Sequence, residues 1–285
     1  MGTTGSTDSF IKRHPVLTYF VLTFAISTGG TLILVGRGGM PIDRLALSTA
    51  VALFAGPSVA GPLLTSLVYG RAGLREFLSR LLRWRVGARW YAVAILTTLL
   101  LATPILFVLS LLSSEFLPAI VTTSDKAALL LLGIVVGLIG GFLEELGWTG
   151  FAVPTLRRRY GLFATGLIVG AMWAVWHVPV TFWASVSPSG AVSLPLFLPP
   201  LFFYVGVLPV FRVLMVWVYD RTGSLLVAIL MHVSLAASTF VILLPPATGA
   251  PLITYYLVLA GALWVVVAAV AKGGHLSQEP LRPVA

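Results

Sequence analysis

Apolar residues recur along the chain in eight runs, Val16 to Gly36, Ala46 to Tyr69, Tyr91 to Leu112, Ala127 to Trp148, Phe163 to Ser185, Leu196 to Tyr219, Leu225 to Leu244 and Leu252 to Ala271. Each reaches or approaches the roughly 20 residues that a helix needs to cross a bilayer. The pattern predicts an all-α membrane protein, a polytopic bundle of eight transmembrane helices. Between the second and third runs, residues 71–90 place Leu74, Phe77, Leu78, Leu81 and Leu82 at helical spacing with arginines between them. That spacing predicts an amphipathic helix lying in the membrane interface. Residues 1–14 are polar and rich in Ser, Thr and Gly, and are expected to be a disordered cytoplasmic tail. Residues 15–272 form the transmembrane domain, and 273–285 a second cytoplasmic tail.

Composition excludes a water-soluble domain. Hydrophobic residues make up 58% of the chain and charged residues 9%, with a mean hydropathy of +1.02, too little polar surface to cover a core in water. The chain therefore reads as a multi-pass integral protein of the cell membrane, with the lipid bilayer as its first partner. If both termini are cytoplasmic, only Arg37, Arg44 and Lys126 of the 18 Lys and Arg residues fall outside, which is the asymmetry the positive-inside rule describes. Orientation thus accounts for the net charge of +9, and no soluble basic surface is left over for nucleic acid. With no cysteine there is no disulfide, thiol nucleophile or prenylation site.

Prolines 179, 199, 200 and 209 fall inside the fifth and sixth runs, and Pro179 frees the carbonyl of Val175 beside His177. Gly56-Pro57-Ser58 and Pro62 read as a kink in the second helix, a commoner role for such a triplet than a serine nucleophile. Arg212 lies about seven residues from the end of the sixth helix and is expected to snorkel to the interface.

Four side chains do not belong in hydrocarbon. Glu144 and Glu145 end a stretch, Ala127 to Leu143, that holds eleven Leu, Ile, Val and Phe residues. Each carboxylate costs roughly 2.5 to 3.5 kcal/mol to insert, and the apolar residues together return about as much. His177 and His232 fall in the fifth and seventh helices. Two carboxylates and two imidazoles on three helices are the groups needed to activate a water and hydrolyse a bond. Neighbours in a helix point about 100° apart, so Glu144 and Glu145 must take different jobs. At i+4, Glu144 shares a face with Trp148 and Glu145 with Thr149. One carboxylate could act as general base, or complete a three-ligand metal site with His177 and His232 that leaves a position open for water, while the other orients its neighbours.

The strings Glu144-Glu145-Leu-Gly-Trp-Thr-Gly-Phe151, Trp173-Ala-Val-Trp-His177-Val-Pro179 and His232-Val-Ser-Leu-Ala236 resemble the three motifs of the CPBP intramembrane proteases, the CAAX-processing and bacteriocin-processing or Abi family. The resemblance runs from about Arg71 to Ser238. It implies a bundle of about eight helices around a water-accessible cavity and an endopeptidase acting near the cytoplasmic face on a peptide or membrane-anchored protein substrate. By position, Glu144 and His177 would activate the water, Glu145 would support the site and His232 would stabilise the oxyanion. The family is classed with the metalloproteases, which implies a divalent metal, zinc, on Glu144, His177 and His232.

Two positions depart from the family pattern Glu-Glu-x-x-x-Arg and His-x-x-x-Asn. Thr149 stands where the arginine would be, leaving Glu145 without its i+4 cation, and Ala236 stands where the asparagine would be, without a donor. A lost oxyanion donor costs about 10² to 10³ in rate. The replacement donor is expected to be Thr239, seven residues beyond His232 and so on the same face, or a bound water. A catalytically weakened binding or scaffold protein is the competing function, and a proton-coupled transporter a more distant one, there being no inverted repeat. The absence of His-Glu-x-x-His argues against a zincin-like protease.

Overall fold

The computed structural model describes residues 10–35, 42–187, 189–274, 276 and 279. Within them eight helices are long and apolar enough to cross a membrane: α1 Pro15–Leu34, α2 Ser48–Leu81, α3 Ala88–Ser110, α4 Lys126–Arg157, α5 Leu162–Ala184, α6 Leu194–Thr222, α7 Leu225–Ile242 and α8 Gly249–Lys272. Described residues form no strand beyond a single bridge, Val186 to Val192. The protein is a multi-pass integral membrane protein, and each helix overlaps the apolar run that predicted it.

Differences fall at the ends. Residues 10–13, expected in a disordered tail, form a helical turn that leads into α1, with the His14 amide donating to the Phe10 carbonyl at 2.9 Å. The rest of that tail, residues 1–9, and His275 lie outside the described residues, as does all but Gly273, Gly274, Leu276 and Glu279 of the C-terminal tail. The amphipathic segment continues α2 across a kink at Gly70, whose φ of 62° is open to glycine, and stops at Leu81. Its stripe does not simply rest on lipid, because Phe77 packs with Leu225 and Ile229 at the start of α7. Arg80, expected among the interfacial arginines, is buried and donates to the Tyr219 hydroxyl at 2.7 Å and to the Gly150 carbonyl at 3.2 Å. At the same end Arg157 of α4 pairs with Asp220 of α6 at 2.8 Å. The arginine-rich segment and the C-terminal ends of α4 and α6 therefore share one end of the bundle.

Burial locates the centre. In their most apolar windows α6 and α7 are 61% and 67% buried, against 22% for α1 and α3, so these two helices form the middle and the others shield them from lipid. Helix α4 packs on α7 and α2, and α5 on α6. In lipid, apolar side chains gain nothing by leaving their solvent, so close helix contact depends on small residues. A Cβ on Gly137 of α4 would stand 2.7 Å from the Val233 carbonyl of α7, and one on Gly170 of α5 would stand 2.5 Å from Cα of Pro209 in α6. Both would strike backbone, so glycine at these crossings sets the spacing that brings α4 to α7 and α5 to α6. Ser58 donates to the Phe54 carbonyl of its own helix at 2.7 Å.

Candidate active site

Helix α4 is α-helical over Lys126–Gly147 and then widens into a π turn, Trp148–Ala152. Glu144 and Glu145 sit in the last α-helical turn, both buried. Their different directions give them different partners. The Glu144 Oε2 accepts from the Trp173 indole at 2.5 Å and, more weakly, from the Trp148 indole at 3.3 Å. Glu145 accepts from the Thr149 hydroxyl and, through both oxygens, from Arg212: Nη1 to Oε2 at 2.8 Å and Nη2 to Oε1 at 2.9 Å. The two i+4 contacts expected from helix geometry, Glu144 with Trp148 and Glu145 with Thr149, are both present.

Arg212 corrects the sequence reading. Instead of snorkelling it is wholly buried, its guanidinium 4.0 Å above the Trp173 ring and 3.3 Å from the Thr149 hydroxyl. The close crossing at Gly170 is what permits this, since a Cβ there would also lie 3.1 Å from the Arg212 Cβ. Glu145, expected to lack a cation because α4 carries Thr149, receives one from α6. A two-pronged guanidinium–carboxylate pair is the geometry in which a buried charge is best compensated.

His232 of α7 stands between the carboxylates, with Nδ1 2.8 Å from Glu145 Oε1 and Nε2 3.9 Å from Glu144 Oε1. An ionised carboxylate only accepts, so the proton on that first contact belongs to Nδ1. His177 of α5 directs Nδ1 at the Trp173 carbonyl, 2.9 Å away, and since a carbonyl also only accepts, its Nε2 carries the lone pair. The His177 ring stacks on Tyr204 at 4.3 Å, and Trp173 meets His232 edge-on at 4.8 Å. Trp173 thereby touches Glu144, Arg212, His177 and His232.

Glu144, His177, His232, Trp173, Tyr204 and Ala236 line a cavity of about 180 Å³, otherwise walled by apolar side chains such as Phe54 and Phe240. All four acids and imidazoles singled out by sequence thus meet in one cluster, with Glu145 behind the wall and the other three on it. Position 236 does face the cavity, as an alanine. Thr239 does not: its buried hydroxyl donates to the Leu235 carbonyl at 2.8 Å. The residue lies in a second π turn, Ser238–Ile242, and its single donor is spent on the backbone one turn back and is not offered to the cavity. Tyr204 lies in a third π turn, Phe203–Val207 of α6, and sequence gave no signal for it.

The expected zinc site on Glu144, His177 and His232 needs three donors around one point. Among the described residues no group of three His, Cys, Asp or Glu side chains is placed to hold an ion. Glu144 Oε2 is already taken by two indoles, so the donors as they stand do not fit a metal, although the His232–Glu145 contact has the form of a carboxylate orienting a ligand histidine.

A buried acid–imidazole cluster on a cavity inside a helical bundle defines an intramembrane protein with a chemically equipped core. Residues 126–238 match the family described as Rce1-like, "Type II CAAX prenyl endopeptidase Rce1-like". Over 45 residues the chain is 42% identical to "CAAX prenyl protease 2" of Methanococcus maripaludis, a stretch covering 16% of this chain and 17% of that relative. The segment matched by that family model carries all three motifs, Glu144 to Phe151, Trp173 to Pro179 and His232 to Ala236.

Proposed function

We propose that the chain is an intramembrane endopeptidase that hydrolyses a peptide bond of a CAAX-type, prenylated or otherwise membrane-anchored substrate with a water activated by Glu144 and His177. The observation that supports this best is the meeting of Glu144, His177 and His232 on one cavity, since each alone would only burden insertion. The name of the archaeal relative supplies the substrate class. The Gly150 carbonyl, five residues from Glu145, is bonded to Arg80 of the arginine-rich segment, which sets the carboxylates about 8 Å of helix rise below that level and so near the face the positive-inside rule makes cytoplasmic.

Charge balance suggests how the groups share protons. Glu145 is matched by Arg212, so Glu144 and His232 form a neutral pair when they hold one proton between them beyond that on His232 Nδ1. With that proton on His232 Nε2, Glu144 Oε1 is a free base and the imidazolium is a donor. Water gives a proton to Glu144 while His177 Nε2 accepts from its other hydrogen and fixes its direction. The resulting hydroxide adds to the scissile carbonyl carbon, the carbonyl electron pair moves to oxygen, and His232 Nε2–H donates to that oxyanion. Collapse breaks the C–N bond, and the leaving amine takes the proton from Glu144.

The test is cleavage of a farnesylated CAAX reporter peptide by purified protein in nanodiscs, beside E144Q. The parent should cut, E144Q should lose at least ~10²-fold as expected for a missing general base, and a chelator should change neither. A parent that does not cut sinks the proposal, and chelator-sensitive cutting replaces the carboxylate-activated water with a zinc-bound one. The second reading, a weakened scaffold, draws on one observation: Ala236 occupies the cavity wall without a donor and Thr239 does not replace it.

A further inference from the structure

We propose that Arg212 is a positioning residue for this site: its guanidinium, supplied across the bundle by α6, holds Glu145 so that Glu145 in turn fixes the His232 ring with Nε2 directed at Glu144. The inference rests on the hydrolytic reading only for its effect on rate.

The chain of contacts is continuous and short. Arg212 grips both oxygens of Glu145, at 2.8 and 2.9 Å, and Oε1 of the same carboxylate meets His232 Nδ1 at 2.8 Å. Arg212 lies outside the residues lining the cavity, so it acts through Glu145 and not on substrate. Nothing else in the contact explains a guanidinium here. Its nearest other neighbours are the Trp173 face, at 4.0 Å, and the Thr149 hydroxyl, at 3.3 Å. A carboxylate held by one fork is fixed in its plane, and the guanidinium charge with its two N–H donors favours the ionised form, so the imidazole keeps its own proton. Without the fork, Glu145 would keep only Thr149 and His232. It would be a buried charge with no countercharge, and sharing the Nδ1 proton would be its cheapest relief.

Geometry also says where the cation could come from instead. Position 149 is one turn beyond Glu145 on the same face of α4, the place from which a helix pairs its own glutamate. The Thr149 hydroxyl already touches both Glu145 and the Arg212 guanidinium, so the space beyond it is the space the guanidinium fills. The cation is therefore a function of the site and not of α6. Arginine at 149 with methionine at 212 should place a guanidinium against the same carboxylate, at the cost of a stem routed along α4.

Two readouts test this. Histidine-labelled protein carries four imidazoles, and a H232N control assigns the His232 signals. The parent should show a strongly hydrogen-bonded His232 Nδ1–H in ¹⁵N spectra. R212M should lose or broaden it, and R212M/T149R should restore it. Cleavage should fall about 10²-fold or more in R212M, as when a carboxylate no longer orients a catalytic imidazole, and recover at least ~10-fold in the double variant. A His232 signal indifferent to R212M overturns the proposal, as does a double variant in which it stays lost. If R212M does not fold, a double variant that folds with the signal supports the proposal and one that fails to fold overturns it. If no form of the protein cuts yet the spectra follow this pattern, positioning stands and the hydrolytic reading fails.

Discussion

Trp173 and Trp148 offer a comparison that separates hydrogen bonding from packing. Both indoles are fully buried, and both donate to the same oxygen of Glu144, one at 2.5 Å and the other at 3.3 Å. Replacing either by Phe removes the N–H and a similar slice of volume while keeping an aromatic ring, so the packing penalties are matched and the difference reports the bond. A hydrogen bond to a charged acceptor contributes about 1.5 to 3 kcal/mol, and a stretched one about 0.5 to 1.5. W173F should therefore be less stable than W148F by about 1 kcal/mol or more in a denaturant titration in mixed micelles. If the bond also holds Glu144 in line for water, W173F should slow cleavage by about 10- to 150-fold, the rate equivalent of 1.5 to 3 kcal/mol, with W148F several-fold at most. Phe preserves the face beneath Arg212, so the cation contact is weakened but kept. Equal losses, or a larger loss in W148F, would show that Glu144 is not held as its distances indicate.

Two further outcomes are expected. A236N should raise turnover on a CAAX reporter by about 10² if its amide donates to the oxyanion, and unchanged turnover in a folded protein would remove the oxyanion from that wall of the cavity. A single cysteine placed at Arg75 or Arg158 in this naturally cysteine-free chain should react with an impermeant thiol reagent only from the cytoplasmic side, and labelling from outside intact cells would invert the topology.

Much of this was legible in the sequence because it depends on local pattern. Length and hydropathy of each run fix a transmembrane helix almost by themselves, since the bilayer forbids other ways of satisfying the backbone. Glu144, Glu145, His177 and His232 stood out because each pays to be in hydrocarbon. Arg212 did not, because it was weighed alone and its closeness to a helix end gave it an exit. Its partner is 67 residues away, a separation that no periodicity reports. A count of charges would have helped: two acids inside the bilayer call for a cation inside it, and Arg212 was the arginine deepest in an apolar run. Arg80 was misplaced for the same reason, its partners Gly150 and Tyr219 being distant in sequence. Thr239 failed differently: helical spacing says nothing of where a hydroxyl donates, and this one bonds the carbonyl one turn back.

The three π turns have a consequence for descent. An i to i+5 turn holds one residue more than the α-helix around it, so each is a place where α4, α6 or α7 can take up a single-residue insertion without losing its span. Two of them put a residue on the cavity wall, Tyr204 and Phe240, and the third begins three residues after Glu145. Where a relative lacks one of these turns, an alignment that forbids gaps within membrane helices slips by one position there, and every residue beyond the slip is credited to the wrong wall, about 100° round the helix. Relatives of this chain are better compared in segments that begin and end at the turns.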